Sequence, residues 1–284
     1  MKIALSCEST VDLPRNMLEE NDIHVMPYTI VFGDEEVEDG EGIAQKVFDY
    51  FDKTKELAKT TAINEMQYTE YFEKLLKDYD CVLHITLSSK ISSTYSNAVK
   101  AATGLGENKV RVVDSLSLST GIALQVLFAR KLINEGVELE EIATRVENRR
   151  QNDQTSFVLS KLNYMRKGGR CSGMAYFGAN LLKIKPEIIM KDGSMVVGKK
   201  HMGSLSKALT SYCDSLLQTY PNADKENVFI TYSSAEEQDV LVLEKKLQDF
   251  GFKNIYKTNA GGTICCHCGP GCLGVLFYNA EEKK

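Results

Sequence analysis

Side chains able to hold an anion or move a proton are concentrated in a few places along this chain. The densest is CVLHITLSSKISSTYSNAVK, Cys81 to Lys100, where Ser88, Ser89, Ser92, Ser93 and Thr94 crowd between an apolar, β-branched run and the first turns of a helix. Unpaired backbone N–H groups and the positive end of a helix dipole make such a junction a seat for a phosphate or a carboxylate. Ser92 or Ser93 would be the N-cap, and capping alone also accounts for hydroxyls here without any ligand. A second pair, Thr60-Thr61 in KTTAIN, stands where the chain enters another helix and carries the same two readings. Neither GxxxxGK[ST] nor GxGxxG accompanies these hydroxyls, so no nucleotide is indicated.

The four histidines offer few bases. His84 lies inside an apolar strand and reads as a core residue, and His24 precedes a strand without further signal. His267 stands before GPG at a tight turn, where a ring can project into a crevice as a ligand contact. A Ser-His-Asp hydrolase would want GxSxG at a nucleophile elbow, which the sequence does not contain. Cys265, Cys266, His267, Cys268 and Cys272 are residue types that zinc prefers. If TICCHC is a strand, however, adjacent side chains point to opposite faces, so Cys265 and Cys266 cannot share an ion, and no metal is expected. The eight cysteines are read as reduced thiols, since disulfide frameworks belong to small secreted chains.

The elements that must position these residues follow a pattern. KIALSCES reads as a strand, Ser9 to Leu18 as a turn into a helix, and IHVMPYTIVF as a second strand. DEEVEDGEG reads as a solvated acidic loop, with helices over Ile43–Leu57 and Glu65–Asp78 beyond it. After the Cys81 strand and its helix come VRVVD and two further helices, reaching Asn152. Strands alternating with helices make a parallel sheet whose ligands gather at the carboxyl ends of the strands. That sheet would bring Ser9-Thr10, Thr60-Thr61 and Ser88 to Thr94 to one edge.

QNDQT, 151–155, is read as the domain boundary. Beyond it FVLS is a strand, Arg166, Lys167 and Arg170 surround Gly168-Gly169 in a basic turn, and a glycine- and alanine-rich stretch runs from Ser172 to Leu182. IIMKDGSMVVGKKH is a hairpin turning at Asp192-Gly193, and helices and strands alternate to a final pair of strand-like runs around CGPG. The expectation is an α/β protein of two domains. Residues 1–152 would form an N-terminal, Rossmann-like parallel-sheet domain, and residues 153–284 a C-terminal α/β domain with a mixed or antiparallel sheet.

Composition narrows the function class. The chain has 284 residues, 43% of them hydrophobic and 26% charged, as in soluble globular proteins, and a net charge of -5 argues against nucleic-acid binding. No apolar run approaches a membrane span, and the apolar stretch before Glu8 is too short for a signal-peptide core, so a cytoplasmic monomer is expected.

Taken together, the motifs resemble the DegV family of bacterial fatty-acid-binding proteins. CESTVDLP is similar to the family's DSTxDLP opening, KTT to its KTSQP, HITLSSKISSTYSNA to its H-x-S-S-x-L-S-G-T-Y-x-x-A, and VVDSLSLSTG to its V-x-D-S-x-S-x-S-x-G. KGGRCS, GANLLKIKPEIIMKDG and HCGPGCLG are similar to its KGGR, G-N-L-L-x-I-K-P-I and H-T-G-P-G-A-x-G, so the correspondence spans the chain. The resemblance implies a carrier and not an enzyme. It would hold one long-chain fatty acid, with the carboxylate in an interdomain cleft and the tail buried in the C-terminal domain.

The implied carboxylate ligands are Thr60, Ser92 and His267, with Thr61 and Ser93 beside the first two and Arg170 near the carboxylate or shaping the pocket. No cofactor is implied. The implied partner is a fatty acid kinase that phosphorylates the bound carboxylate and feeds phospholipid synthesis. Hydroxyl and imidazole donors suit a carboxylate, and burying a tail of about fifteen carbons supplies on the order of 10 kcal/mol before entropy costs. The sequence departs from the family pattern at Glu8, Thr61-Ala62-Ile63, Ser93 and Cys268, and GKKHMGS lacks an arginine that some members use to engage the kinase. The alternatives are a small-molecule hydrolase or transferase using the hydroxyl cluster with His267, and a thiol or zinc sensor built on Cys265 to Cys272.

Overall fold

The computed structural model of the chain describes residues 1–106, 108–172 and 184–280. The first half runs β1 (Ile3–Glu8), a single 3-10 turn at Ser9–Val11, α1 (Arg15–Glu20), β2 (Ile23–Met26), β3 (Thr29–Phe32), β4 (Glu35–Glu38) and α2 (Ile43–Thr54). It continues with β5 (Lys59–Thr61), α3 (Glu65–Leu75), β6 (Cys81–Thr86), α4 (Thr94–Gly104), β7 (Val110–Asp114), α5 (Thr120–Asn134) and α6 (Leu139–Arg149). The second half runs β8 (Asp153–Val158), α7 (Asn163–Gly168), β9 (Cys171–Ser172), β10 (Ile184–Lys191), β11 (Ser194–Met202) and α8 (Leu205–Thr219). β12 (Ala223–Tyr232), α9 (Glu237–Phe250), β13 (Asn254–Asn259), α10 (Gly262–Cys268) and β14 (Leu273–Asn279) complete it.

β1, β2, β6 and β7 form a four-stranded sheet, all parallel, in the order β2-β1-β6-β7. β1 and β6 at its centre are buried along their whole length, which suits near-continuous apolar runs such as IALSC and CVLHI. The second-half strands form a mixed seven-stranded sheet, ordered β13-β12-β14-β8-β10-β11-β9. In it β12–β13 and β9–β11 run parallel and the remaining pairs antiparallel. The chain is thus α/β, with a parallel sheet followed by a mixed one. α5 lies between the two, packed on β1 and β6 from one side and on β8, β12 and β14 from the other. Its buried residues run almost unbroken from Thr120 to Val126, as a helix covered on both sides requires. α8 and α9 close the far face of the seven-stranded sheet over Leu209, Leu216, Leu243 and Val275.

Several local expectations are corrected. IHVMPYTIVF is two strands: Pro27, which has no N–H to donate to a ladder, separates β2 in the parallel sheet from β3 in a small antiparallel sheet ordered β4-β3-β5. The acidic stretch after it is not simply a solvated loop. Its glutamates form the exposed β4, while Asp39 turns inward and is buried. Thr60 and Thr61 lie on β5 and not at a helix start, because Asn64 caps α3 in a capping box with Gln67.

QNDQT is a break only in part, since β8 begins at Asp153. Two of its polar side chains, Gln154 and Thr155, are buried: Thr155 Oγ1 lies 3.0 Å from Ser117 Oγ, and Gln154 Nε2 donates to Ser156 Oγ at 2.7 Å. TICCHC is the helix α10 and not a strand, which removes the premise that separated its cysteines. From position 173 on, the glycine- and alanine-rich stretch expected over Ser172 to Leu182 lies outside the described residues. Among the described residues no helix is long and apolar enough to cross a membrane.

Candidate functional site

The loops that follow β6 and β7 face a cavity of about 570 Å³, whose other walls include Thr60 of β5 and residues of the seven-stranded sheet. Its size falls within the roughly 300–1,000 Å³ of small-molecule sites. One part of its wall is hydroxyl-bearing, with Thr60, Ser92, Ser93 and Ser119, and another is apolar, with Leu87, Phe157, Met195 and Leu276. His267, Lys90 and Arg170 also line it.

Ser92 comes from the loop between β6 and α4. Its Oγ is 3.1 Å from the Tyr28 hydroxyl and accepts from the Thr94 N–H at 3.3 Å, and Tyr28 in turn donates to Thr94 Oγ1 at 3.1 Å. Beneath this hydroxyl network lies Glu8, fully buried at the end of β1. Glu8 accepts from the Tyr68 hydroxyl through Oε1 and from the Leu87 N–H at 2.7 Å through Oε2. Burial pushes its pKa up to about 7, against the opposing hydrogen bonds from Tyr68 and Leu87. The loop is therefore tied to the sheet floor from below, and Ser92 is presented from above. Ser88 is buried and serves differently, donating to the Gly193 carbonyl at 2.7 Å and so fastening the loop to the β10–β11 turn.

Thr60 and His267 are 207 positions apart in sequence, yet Thr60 Oγ1 and His267 Nε2 are 3.0 Å apart. Thr60 is held by β5 pairing with Ile30 of β3. His267 is held by α10, whose first N–H groups are taken up by carboxylates from the start of the chain. The Gly261 N–H donates to Asp12 Oδ1 at 2.8 Å, and the Gly262 and Thr263 N–H groups donate to Asp39 Oδ1 and Oδ2 at 2.9 and 3.1 Å. Ser9 and Ser119 steady those carboxylates with hydroxyl hydrogen bonds. These contacts explain why a short run of cysteines folds as a helix: orphan N–H groups at a helix start are satisfied by acceptors brought from far away.

Burial and the neighbouring Arg170 charge push the His267 pKa down to about 4, so the imidazole is neutral at neutral pH. Gly168, in the basic turn, gives the ring room, because a Cβ there would come to 3.0 Å from His267 Nδ1. Gly269 has φ +70°, and a Cβ would meet the Tyr164 ring at 2.4 Å, so the turn after α10 admits only glycine.

Of the residues singled out from the sequence, Thr60, Ser92, Ser93, Arg170 and His267 line one cavity. Thr61 does not: strand alternation turns it to the opposite, exposed face of β5 while Thr60 and Ala62 face the cavity. Ser9 and Thr10 also lie away from the cavity wall, Ser9 serving Asp39 and the Tyr28 N–H instead. Ser93 holds the N-cap position of α4 without a side-chain cap bond. His84 is a core residue, as expected, with Nδ1 2.5 Å from Ser6 Oγ. Sequence reasoning missed Tyr28, Lys90, Cys268 and Cys272 as wall residues. The proline before Tyr28 was the one available signal, since it marks where the chain leaves the parallel sheet.

Among the described residues no group of three or more His, Cys, Asp or Glu side chains is placed to hold a metal ion. Thr60 is the partner hydrogen-bonded to the His267 ring among those residues, with no carboxylate orienting the imidazole as a triad would.

The profile of the DegV family, described as "Uncharacterised protein, DegV family", matches residues 2–280. The chain belongs to the DegV family. Among DegV relatives, the fatty acid-binding protein of Thermotoga maritima is 29% identical over 290 residues, covering all of both chains. A DegV family protein from Thermus thermophilus, solved in a study of its fatty acid binding, superposes with a TM-score of 0.90 at 25% identity, covering 99% of this chain and 100% of that one. The Streptococcus pneumoniae fatty acid kinase B3 protein, solved with linoleic acid, has a TM-score of 0.85 at 18% identity over 99% of this chain and 100% of its own, a likeness of fold alone.

Proposed function

We propose that this DegV chain is a carrier for a single long-chain fatty acid. The carboxylate is received by Thr60, Ser92 and His267, with Arg170 and Lys90 supplying positive charge, and the tail lies along Phe157, Met195 and Leu276. The observation that carries this reading is the 3.0 Å pairing of Thr60 with His267 in a cavity that Ser92 also lines and that has apolar walls besides. Hydroxyls and a neutral imidazole hydrogen-bond a carboxylate, and two cations offset its charge. The apolar walls then supply the larger share of affinity, about 0.8 kcal/mol per methylene buried. The Thermotoga relative and the Thermus structure, both described as fatty acid binders, support the ligand class.

The finer part of the proposal is that the carrier acts in the cytoplasm as a monomer and presents its ligand to a fatty acid kinase. A carboxylate at the polar end can be reached by a partner that brings the nucleotide, for which this sequence has no phosphate-binding loop. The division at 152/153 is proposed as the line between the half presenting hydroxyls and the half enclosing the tail.

Organic extraction of the purified protein followed by mass spectrometry tests the carrier. About one fatty acid per chain is expected, and its consistent absence overturns the reading. Ser92→Ala/His267→Ala should lower occupancy with the fold retained by circular dichroism; unchanged occupancy would move the carboxylate site elsewhere. Kinase presentation is tested by adding ATP and a purified fatty acid kinase and trapping acyl phosphate with hydroxylamine. Turnover of an ester or acyl phosphate by the chain alone would favour the hydrolase reading instead.

A further inference from the structure

The cavity wall carries hydroxyls beyond those assigned to a carboxylate. Ser119, Thr231, Ser233 and Thr263 line it beside apolar residues such as Phe157 and Leu276. Three of the four are committed within the protein. Ser119 donates to Asp12 Oδ2 at 2.5 Å, and Thr231 Oγ1 lies 2.6 Å from Thr120 Oγ1 and 2.9 Å from Thr258 Oγ1. Ser233 donates to the Gly269 carbonyl at 2.6 Å and accepts from the Cys272 N–H at 3.0 Å.

Thr263 differs from them. Its backbone N–H is taken by Asp39, but its side chain, on a residue 4% exposed, has no such tie. Of the buried side-chain polar atoms without a hydrogen-bond partner among the described residues, Thr263 Oγ1 is the one that belongs to a residue of the cavity wall. A buried hydroxyl left unpaired is unfavourable, and folded proteins pair such groups almost without exception.

Chain position says where along a bound ligand this hydroxyl stands. Thr263 is four residues before His267 on α10, so the two side chains share one face of the helix, about 6 Å apart along its axis. With a carboxylate held by His267 and Thr60, the part of the ligand that passes Thr263 is the first few carbons of its chain. In the free protein Oγ1 is covered. Threonine in a helix divides between two χ1 rotamers where valine and isoleucine keep one, so a single rotation turns the hydroxyl to an arriving partner. That partner is best another hydroxyl, which donates or accepts as the pair requires.

We propose that the preferred ligand of this cavity is a long-chain fatty acid bearing a hydroxyl close to its carboxylate, and that Thr263 selects it. The inference rests on the proposed function, because the carboxylate at Thr60 and His267 sets the register, and it goes further in naming the substituent. An unsubstituted acid lays methylenes against Thr263 and leaves Oγ1 unpaired. The hydroxylated acid pairs it, and a polar group unpaired by one ligand and paired by the other is what lets a site discriminate.

Calorimetric titration of the delipidated full-length chain with palmitate, 2-hydroxypalmitate and 3-hydroxypalmitate tests the proposal. One of the hydroxy acids is expected to bind about two- to tenfold more tightly than palmitate, the worth of one neutral hydrogen bond. Thr263→Val should bring the affinities together and Thr263→Ser should keep them apart, with folding checked by circular dichroism; Thr263→Ala gives the same reading as the valine variant should that one not fold. A preference that survives loss of the hydroxyl would overturn the assignment to Thr263. Palmitate bound as tightly as both hydroxy acids would overturn this inference alone, whereas failure of all three acids to bind would overturn the proposed function together with it.

Discussion

His267 is neutral in the free protein, and an anion placed beside it favours the imidazolium, so ligand binding raises its pKa from about 4. Affinity then rises as pH falls wherever the complex holds a proton that the free protein does not, from the pKa of the complex down to about 4. An alkyl sulfonate, whose headgroup stays ionised, isolates this effect: calorimetric titration should show tighter binding at pH 5 than at pH 8, and His267→Gln should flatten the profile.

Glu8 acts in the same direction, but on stability. Its folded pKa of about 7 exceeds the ordinary carboxylate value of 4.5, chiefly through burial. The folded state therefore keeps a proton that the unfolded chain has lost, and stability falls as pH rises through that window, by about 3 kcal/mol. Urea denaturation of Glu8→Gln should show less decline between pH 5 and pH 8 than the parent. At this scale the sequence offered Thr60, Ser92 and His267 as candidates, because hydroxyls and imidazoles stand out against their neighbours, but capping alone accounted equally well for the two hydroxyls, and the family motifs were needed to select all three. Glu8 was visible only as a residue type, since its burial depends on Tyr68 and Leu87, residues distant from it in the sequence.

α10 shows why an element can be misread. Its seven residues are too few for helical periodicity to declare itself, and a short apolar run suits strand or helix equally. The helix is set by acceptors from elsewhere, Asp12 and Asp39, the second concealed in a stretch dominated by exposed glutamates. Asp39→Ala should leave the Gly262 and Thr263 N–H groups without partners and destabilise the protein by about 2–6 kcal/mol, at roughly 1–3 kcal/mol for each buried donor. Lipid retention should fall with it, because His267 rides on that helix; denaturation and extraction of the same preparation measure both. By contrast, the Asp192-Gly193 hairpin was legible because its turn chemistry is local, and β10 and β11 pair across it as expected.

At the scale of the molecule, the cavity is bounded by the loops after β6 and β7 together with residues of the seven-stranded sheet, so a ligand filling it binds the folded chain and not the unfolded one. Stripping the lipid should therefore lower the Tm, and reloading should restore it. The stabilisation is about 2.7 kcal/mol at a free ligand concentration one hundred times Kd, read by differential scanning calorimetry. An unchanged Tm across loaded and stripped protein would mean that the cavity is not where the lipid sits.

The sequence by itself determined the α/β class, the parallel sheet followed by a mixed one, and the hydroxyl-rich loop after β6, because periodicity and turn residues act over a few positions. Tertiary structure alone decided that Thr60 faces the cavity while Thr61 does not, and that Asp12 and Asp39 raise a helix under His267. Those outcomes depend on contacts between residues as much as 249 positions apart. No local pattern encodes such a contact: its partners become neighbours only when burying the apolar faces of both sheets brings them together.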